Sequence, residues 1–196
     1  MILNLESGGF MKLAPNRFDA EFDAQSEKPG EQRLEKMVSG RYMGELFGMA
    51  IAELLGEKGK KYGFTSIDMS NIILDETAGL SEVGRIVSAK TGHDLEEVDR
   101  QRLQELASAL VVRSARLVTA TYVGIIWQLA GDEAIKKQHI AIDGSVYEKM
   151  PLAKENIMRA LSELLGESAP LVDTVLENGG SGLGAAIAAA MSQQQA

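Results

Sequence analysis

Pro29-Gly30-Glu31-Gln32-Arg33-Leu34-Glu35-Lys36-Met37-Val38-Ser39-Gly40-Arg41-Tyr42-Met43-Gly44-Glu45 reads as a helix start and an amphipathic helix. Pro29 suits the first helical position, where a missing N–H costs little. Glu31 falls in the first turn, where the helix dipole favours a carboxylate. Leu34, Met37, Val38, Leu46 and Met49 recur at helical spacing, as a core stripe does. Gln32 and Glu35, three apart, project from one side of the first turn. Gly40 and Gly44 each cost roughly 1 kcal/mol against alanine inside a helix. Such glycines fit a place where something approaches the backbone closely. By spacing alone, a surface helix with a solvated Gln/Glu pair explains most of this.

The chain has 196 residues, enough for one domain with a sizeable core or two small ones. Its net charge of −8 argues against nucleic acid or an anionic membrane as the main partner. With no cysteine, disulfides and thiolate metal sites are excluded. With only His93 and His139, so is a His-rich metal cluster, and no metal ligand is assigned. Met1-Ile2-Leu3-Asn4-Leu5-Glu6 lacks a basic region and a long apolar run, so it does not read as a secretory signal. The apolar run from Leu117 to Ala130 falls short of the ~20 residues that a membrane span takes. The expected compartment is the cytoplasm.

Outward from the opening stretch, residues 2–6 read as a short strand and Ser7-Gly8-Gly9 as a turn. Residues 10–28 read as a loop with an acidic cluster at Asp19, Glu21 and Asp23. The opening helix is expected to run to about Leu55, closed by Gly56 and the charge run Glu57 to Lys61. A short helix is expected around Ser70, and a helix from Leu80 to Ala89. Asp94 reads as the N-cap of a long helix ending near Leu129. From Ala107 that helix is apolar nearly all round and so expected to be buried, with Arg113 and Arg116 finding partners or solvent. His139 to Ile142 reads as a strand, Asp143-Gly144-Ser145 as a tight turn, and Val146-Tyr147 as extended chain. Pro151 starts a helix to Leu165, and Leu171 to Leu176 reads as a strand. A glycine-rich turn from Asn178 to Gly184 leads into an Ala-rich helix. Strands alternating with helices give an α/β class.

Three constellations can carry chemistry. Asp143-Gly144-Ser145 offers unhindered N–H groups and a hydroxyl, either a phosphate cradle or a structural hairpin. Gly180-Ser181-Gly182-Leu183-Gly184-Ala185 fits G-x-G-x-x-A, but the dinucleotide fingerprint needs a second strand and an acid ~20 residues on, and the sequence ends at Ala196. A close backbone approach to a phosphate or an adenosine ring remains. Glu6 and Glu35, with Asn4 and Gln32, match the donors and acceptors that sugar hydroxyls need. Two carboxylates also suit a glycosidase, and spacing does not separate the two chemistries.

Taken together, these motifs resemble the ATP-dependent hexokinase/glucokinase family of the eukaryotic type. Asn4-Leu5-Glu6-Ser7-Gly8-Gly9-Phe10 is similar to the family stretch Asn-Thr-Glu-Trp-Gly-Ala-Phe. The opening stretch is similar to Pro-Gly-x-Gln-x-x-Glu-Lys-Met-x-Ser-Gly-x-Tyr-x-Gly-Glu. Ile142 to Tyr147 and Gly180 to Ala186 look like the family's second phosphate motif and its adenosine motif. All four occur in the family's order across nearly the whole chain.

The resemblance implies an actin-like ATPase fold of the ribonuclease H type, its large lobe spanning residues 1–196. It implies transfer of the ATP γ-phosphate to the 6-hydroxyl of a hexose, glucose foremost, with Mg²⁺. By position, Asn4, Glu6, Gln32 and Glu35 would meet the sugar. Gly40, Arg41, Ser66, Ser70, Asp143, Gly144 and Ser145 would face the nucleotide and its phosphates. Gly180, Ser181, Gly182 and Gly184 would flank the adenosine. Ser7 stands where the family has Trp, and Arg41 where it usually has Lys or a small residue. The amino-terminal motif Asp-x-Gly-Gly-Thr-Asn and the catalytic Asp of Asn-Asp-Thr are not in this sequence. The chain therefore looks like a carboxy-terminal half without an amino-terminal lobe, with no catalytic base of its own and expected to be inactive alone. A lobe parted from its partner exposes apolar area, so a homo-oligomer is also expected. The rival reading is a non-catalytic sugar- or nucleotide-sensing module.

Overall fold

The computed structural model describes residues 5–177, 179, 182, 184–187 and 190. In chain order these form α1 (Arg17–Ala24), α2 (Arg33–Val38), α3 (Gly40–Leu54), α4 (Ser66–Ile73), α5 (Ser81–Thr91) and α6 (Glu97–Ala130). Then come β1 (Gln138–Ile142), α7 (Ser145–Lys149), α8 (Ala153–Leu165) and β2 (Val172–Leu176). The strands pair in parallel, Gln138 opposite Val172 and Ile142 opposite Leu176. Parallel strands need a long crossover, and α7 with α8 supplies it.

Two apolar cores lie along α6. Met43, Phe47 and Ile51 of α3, Met69 and Ile72 of α4, and Val83 and Val87 of α5 close around Leu103, Ala107 and Val111. Farther along, Ala115, Val123 and Ile126 meet Ile157 and Leu161 of α8 and Ile142 and Val172 of the strands. By length and composition α6 would pass for a membrane span. Here it is the helix that both cores share. Arg113 pairs with Asp19 at 3.0 Å and Arg116 with Glu163 at 2.6 Å, as expected of two cations in an apolar run.

Several expectations are corrected. Residues 10–28 hold α1, started by a capping box between Asn16 and Asp19. Leu5 and Glu6 are not in a strand: Glu6 turns left-handed into the 3₁₀ turn Ser7–Gly9. Pro29 precedes the helix, whose N-cap is Gln32. Asp94 does not cap α6; Glu96 does, without a side-chain bond. The far end of α6 is not buried all round, because α8 and the sheet cover one side and leave Trp127 and Leu129 exposed. Val146 and Tyr147 lie in α7 rather than in extended chain, since Tyr147 turns inward to the second core.

Candidate functional site

The opening stretch is not one helix. Ser39 is extended (φ −72°, ψ 148°), ending α2 and capping α3. Its side chain makes no cap bond, so the break does not rest on the serine hydroxyl. The carbonyls freed at the end of α2 find donors on α6: Ser114 Oγ donates to Val38 O at 2.7 Å and Arg113 Nη2 to Met37 O at 3.4 Å. Ser39 Oγ is buried with no partner among the described residues.

On the α2 side, residues distant in the chain converge. A Cβ on Gly8 would lie 2.9 Å from Gln32 Oε1 and 3.3 Å from Glu35 Cβ. The turn after Glu6 therefore rests directly on Gln32 and Glu35. Glu6 (φ 44°) and Gln32 (φ 50°) are both left-handed, an uncommon state for such residues. Strain of this kind costs ~1–3 kcal/mol and collects at functional sites. Arg33 Nη1 donates to Met11 O at 2.7 Å and so ties the chain after the turn to α2. Asn4 lies outside the described residues.

On the α3 side, Gly40 explains itself. A Cβ there would meet Val146 Cγ2 at 2.8 Å and Ser66 Oγ at 3.7 Å. One turn on, a Cβ on Gly44 would sit 2.5 Å from Phe64 O. The glycine face of α3 thus admits the backbone before α4 and the start of α7. Gly40, Ser66 and the Ser145-Val146 step come together at the N-terminus of α3. Arg41 is exposed beside them, 3.7 Å from Glu45. Ser70 is half-buried one turn along α4 on the face of Ser66. Gly144, exposed between Asp143 and Ser145, has φ 151°, which glycine adopts readily, as it leads β1 into α7.

Of the adenosine set, only Gly182 and Gly184 are among the described residues. Nothing lies within 4 Å of where a Cβ would stand on Gly182 or Gly184. Gly180 and Ser181 lie outside the described residues.

A cleft of about 710 Å³ runs from Gln32, Glu35, Arg41 and Ser66 toward Phe22 and Tyr42. Phe22 and Tyr42 meet edge to face, with centroids 5.3 Å apart. Its far wall is the loop before α4, which sequence reading left without a role. Glu57 anchors that loop: its carboxylate accepts from the Tyr62 hydroxyl, from Lys60 Nζ at 3.0 Å and faces His93 Nε2 at 3.3 Å. The Tyr62 bond above all, then Lys60, holds the Glu57 carboxyl down at about 2. Burial, then Glu57, pushes the Tyr62 hydroxyl up to about 12. The signal for this wall was in the sequence as Gly56, Gly59 and Gly63, all of which take positive φ. The aromatic wall left no signal, because Phe22 on α1 and Tyr42 on α3 lie far apart in the chain and meet only through helix packing.

The hexokinase family model matches residues 1–191. Hexokinase-2 of Candida albicans is 31% identical over 214 residues, covering 100% of this chain and 43% of its own. Hexokinase-7 of Oryza sativa subsp. japonica is 35% identical over 217 residues, covering 99% of this chain and 46% of its own. A hexokinase crystal structure superposes with a TM-score of 0.73 at 25% identity, covering 88% of this chain and 40% of that one. A Schistosoma mansoni hexokinase complexed with glucose shares the fold, with a TM-score of 0.70 at 22% identity over 83% of this chain and 38% of its own. The chain thus spans somewhat less than half the length of the curated relatives it matches. Its mixed helix-and-strand fold is the actin-like ATPase fold of those structures. By a family match over nearly its whole length, this chain belongs to the hexokinase family and corresponds to one half of its relatives.

Proposed function

We propose that this chain is the substrate-holding half of an ATP-dependent hexokinase, which transfers the γ-phosphate of ATP to the 6-hydroxyl of a hexose, glucose foremost. The observation that carries the reading is the break at Ser39. It sets the Gln32/Glu35 edge at one end of α2 and the Gly40/Ser66/Val146 junction at the other. Six residues at a rise of 1.5 Å separate the ends by about 9 Å. A hexose and a phosphoryl group set end to end would fill that span.

Glu35 and Glu6 would accept from sugar hydroxyls, and Gln32 would both donate and accept. A helix N-terminus presents N–H groups without intrahelical partners and favours anions. At α3 it would face the ATP phosphates, with Arg41, Ser66 and Ser70 beside it and Asp143, Gly144 and Ser145 across from it. The unpartnered Ser39 Oγ and the tight glycine at position 40 suit such an occupant. Gly180, Ser181, Gly182 and Gly184 would lie along the adenosine. Among the described residues no group of three or more His, Cys, Asp or Glu can hold a metal. Mg²⁺ would arrive on the phosphates and supply charge neutralisation there. The base for the sugar hydroxyl would come from an amino-terminal lobe, so the chain alone should not turn over. Work in the cytoplasm, where ATP is made and used, belongs to the same proposal, and so does self-association of this chain.

Calorimetric titration tests the reading. Saturable glucose binding, lost in Glu35→Gln, and separate MgATP binding are expected, with no turnover in a coupled assay. Binding of neither ligand, or robust turnover, would sink it.

A further inference from the structure

Lys36 is buried in the middle of α2, its side chain 7% exposed. Its Nζ donates to Asp23 Oδ1 at 2.5 Å and to Lys28 O at 2.6 Å. The other oxygen of that carboxylate, Asp23 Oδ2, accepts from Gly30 N at 2.9 Å. One amino group and one carboxylate thus fold the turn between α1 and α2 onto the inner side of α2. That turn runs through Gly30 (φ 80°) and delivers Gln32 in its left-handed state (φ 50°).

A residue held at unfavourable φ needs surroundings that over-determine it. No side-chain cap bond holds Gln32. The Lys36–Asp23–Gly30 chain is what is built around it, behind the edge rather than in it. Stability alone explains the pair poorly, because well-packed apolar replacements of buried ion pairs are often neutral or better.

We propose that Lys36 and Asp23 form the positioning clamp of the sugar edge, setting Gln32 and Glu35 where they meet the hexose. This rests on the hexose reading above, and in it Lys36 acts through the placement of Gln32 and Glu35.

The test compares Lys36→Met, Asp23→Leu and Asp23→Asn in this chain. Losing a well-placed hydrogen bond to a charged group weakens binding by roughly 10- to 100-fold, so Lys36→Met and Asp23→Leu should weaken glucose binding by at least about tenfold. MgATP affinity should stay within about twofold, because the α3 N-terminus keeps its own contacts, and Asp23→Asn, which retains an acceptor, should lose least. Hydrogen exchange at the Gly30 amide, followed without ligand, should speed up in Lys36→Met. Unchanged glucose affinity or unchanged Gly30 exchange overturns the clamp. So does an equal loss of both ligands with a lowered unfolding midpoint, which marks a general scaffold role. If the unaltered chain binds no glucose, the functional reading fails and removes the clamp's purpose. Gly30 exchange separates the two failures, since it reports on the clamp without sugar.

Discussion

Gly44 and Phe64 leave no room for a side chain between them: a Cβ on Gly44 would stand 2.5 Å from the Phe64 carbonyl oxygen. The obstacle is backbone, which cannot swing aside as a side-chain tip can. Alanine here gains ~1 kcal/mol of helix propensity but forces a shift costing ~1–3 kcal/mol. Gly44→Ala is expected to lower stability. A Cβ on Gly124 in α6 would meet nothing within 4 Å among the described residues beyond its own helix, so Gly124→Ala should raise stability by roughly 0.5–1 kcal/mol. Urea unfolding of both variants checks the contrast, and a stabilised Gly44→Ala would overturn the packing argument.

Gly8 differs from Gly44 in what it touches. Its nearest neighbour is Gln32 Oε1 at 2.9 Å, the far end of a flexible side chain. Gly8→Ala should change unfolding free energy by less than about 1 kcal/mol, because the amide can move. Glucose binding should nonetheless fall, because the displaced amide belongs to the proposed sugar edge. Calorimetry beside a melting curve reads both effects.

Asp19 is buried, and Arg113 reaches it from α6 with 3.0 Å contacts to both carboxylate oxygens. Removing one partner of a buried pair leaves an uncompensated charge and costs ~3–5 kcal/mol. Arg113→Met should cost about 3 kcal/mol, the lower end, since Asp19 Oδ2 still accepts from Asn16 N. Adding Asp19→Leu should recover part of that loss. Chemical denaturation of the single and double variants decides it.

Glu57 makes stability depend on acid. Its carboxyl is held at about 2 against an ordinary value of 4.5, so the folded state binds its proton less readily than the unfolded chain. Its contribution is complete above 4.5 and drains away as pH falls toward about 2. Glu57→Gln should flatten the stability profile through that window and leave its shape near neutrality alone. Tyr62→Phe, which removes the largest cause of the shift, should do much the same. Melting curves from pH 6 downward, compared with the unaltered chain, check it; parallel profiles throughout would refute the role given to Glu57.

Local signals carried far along the chain where elements are governed by their own residues. Val83, Ile86 and Val87 at helical spacing marked α5, and the apolar runs before Asp143 and after Pro170 marked the strands. Reading failed where a distant group decides. Pro29 looked like a first helical residue, but the Lys36–Asp23 pair folds it into a turn. α1 was hidden by its acidic residues, although Asn16 and Asp19 stood at capping-box spacing. The exposed end of α6 was misread because a uniformly apolar stretch does not say on which side its neighbours lie.

The residues alone determined the family, the order of the motifs and the types of polar group those motifs offer. These depend on identity and spacing, which a sequence states outright. Only the tertiary structure decided that the opening stretch is two helices hinged at Ser39, that Gly8 rests on Gln32, and that Gly40 admits Ser66 and Val146. Each of those facts is a close approach between segments far apart in the chain. Such approaches depend on the packing of two cores around α6 and on which backbone lacks a Cβ at the point of contact, and no local pattern of residues encodes them.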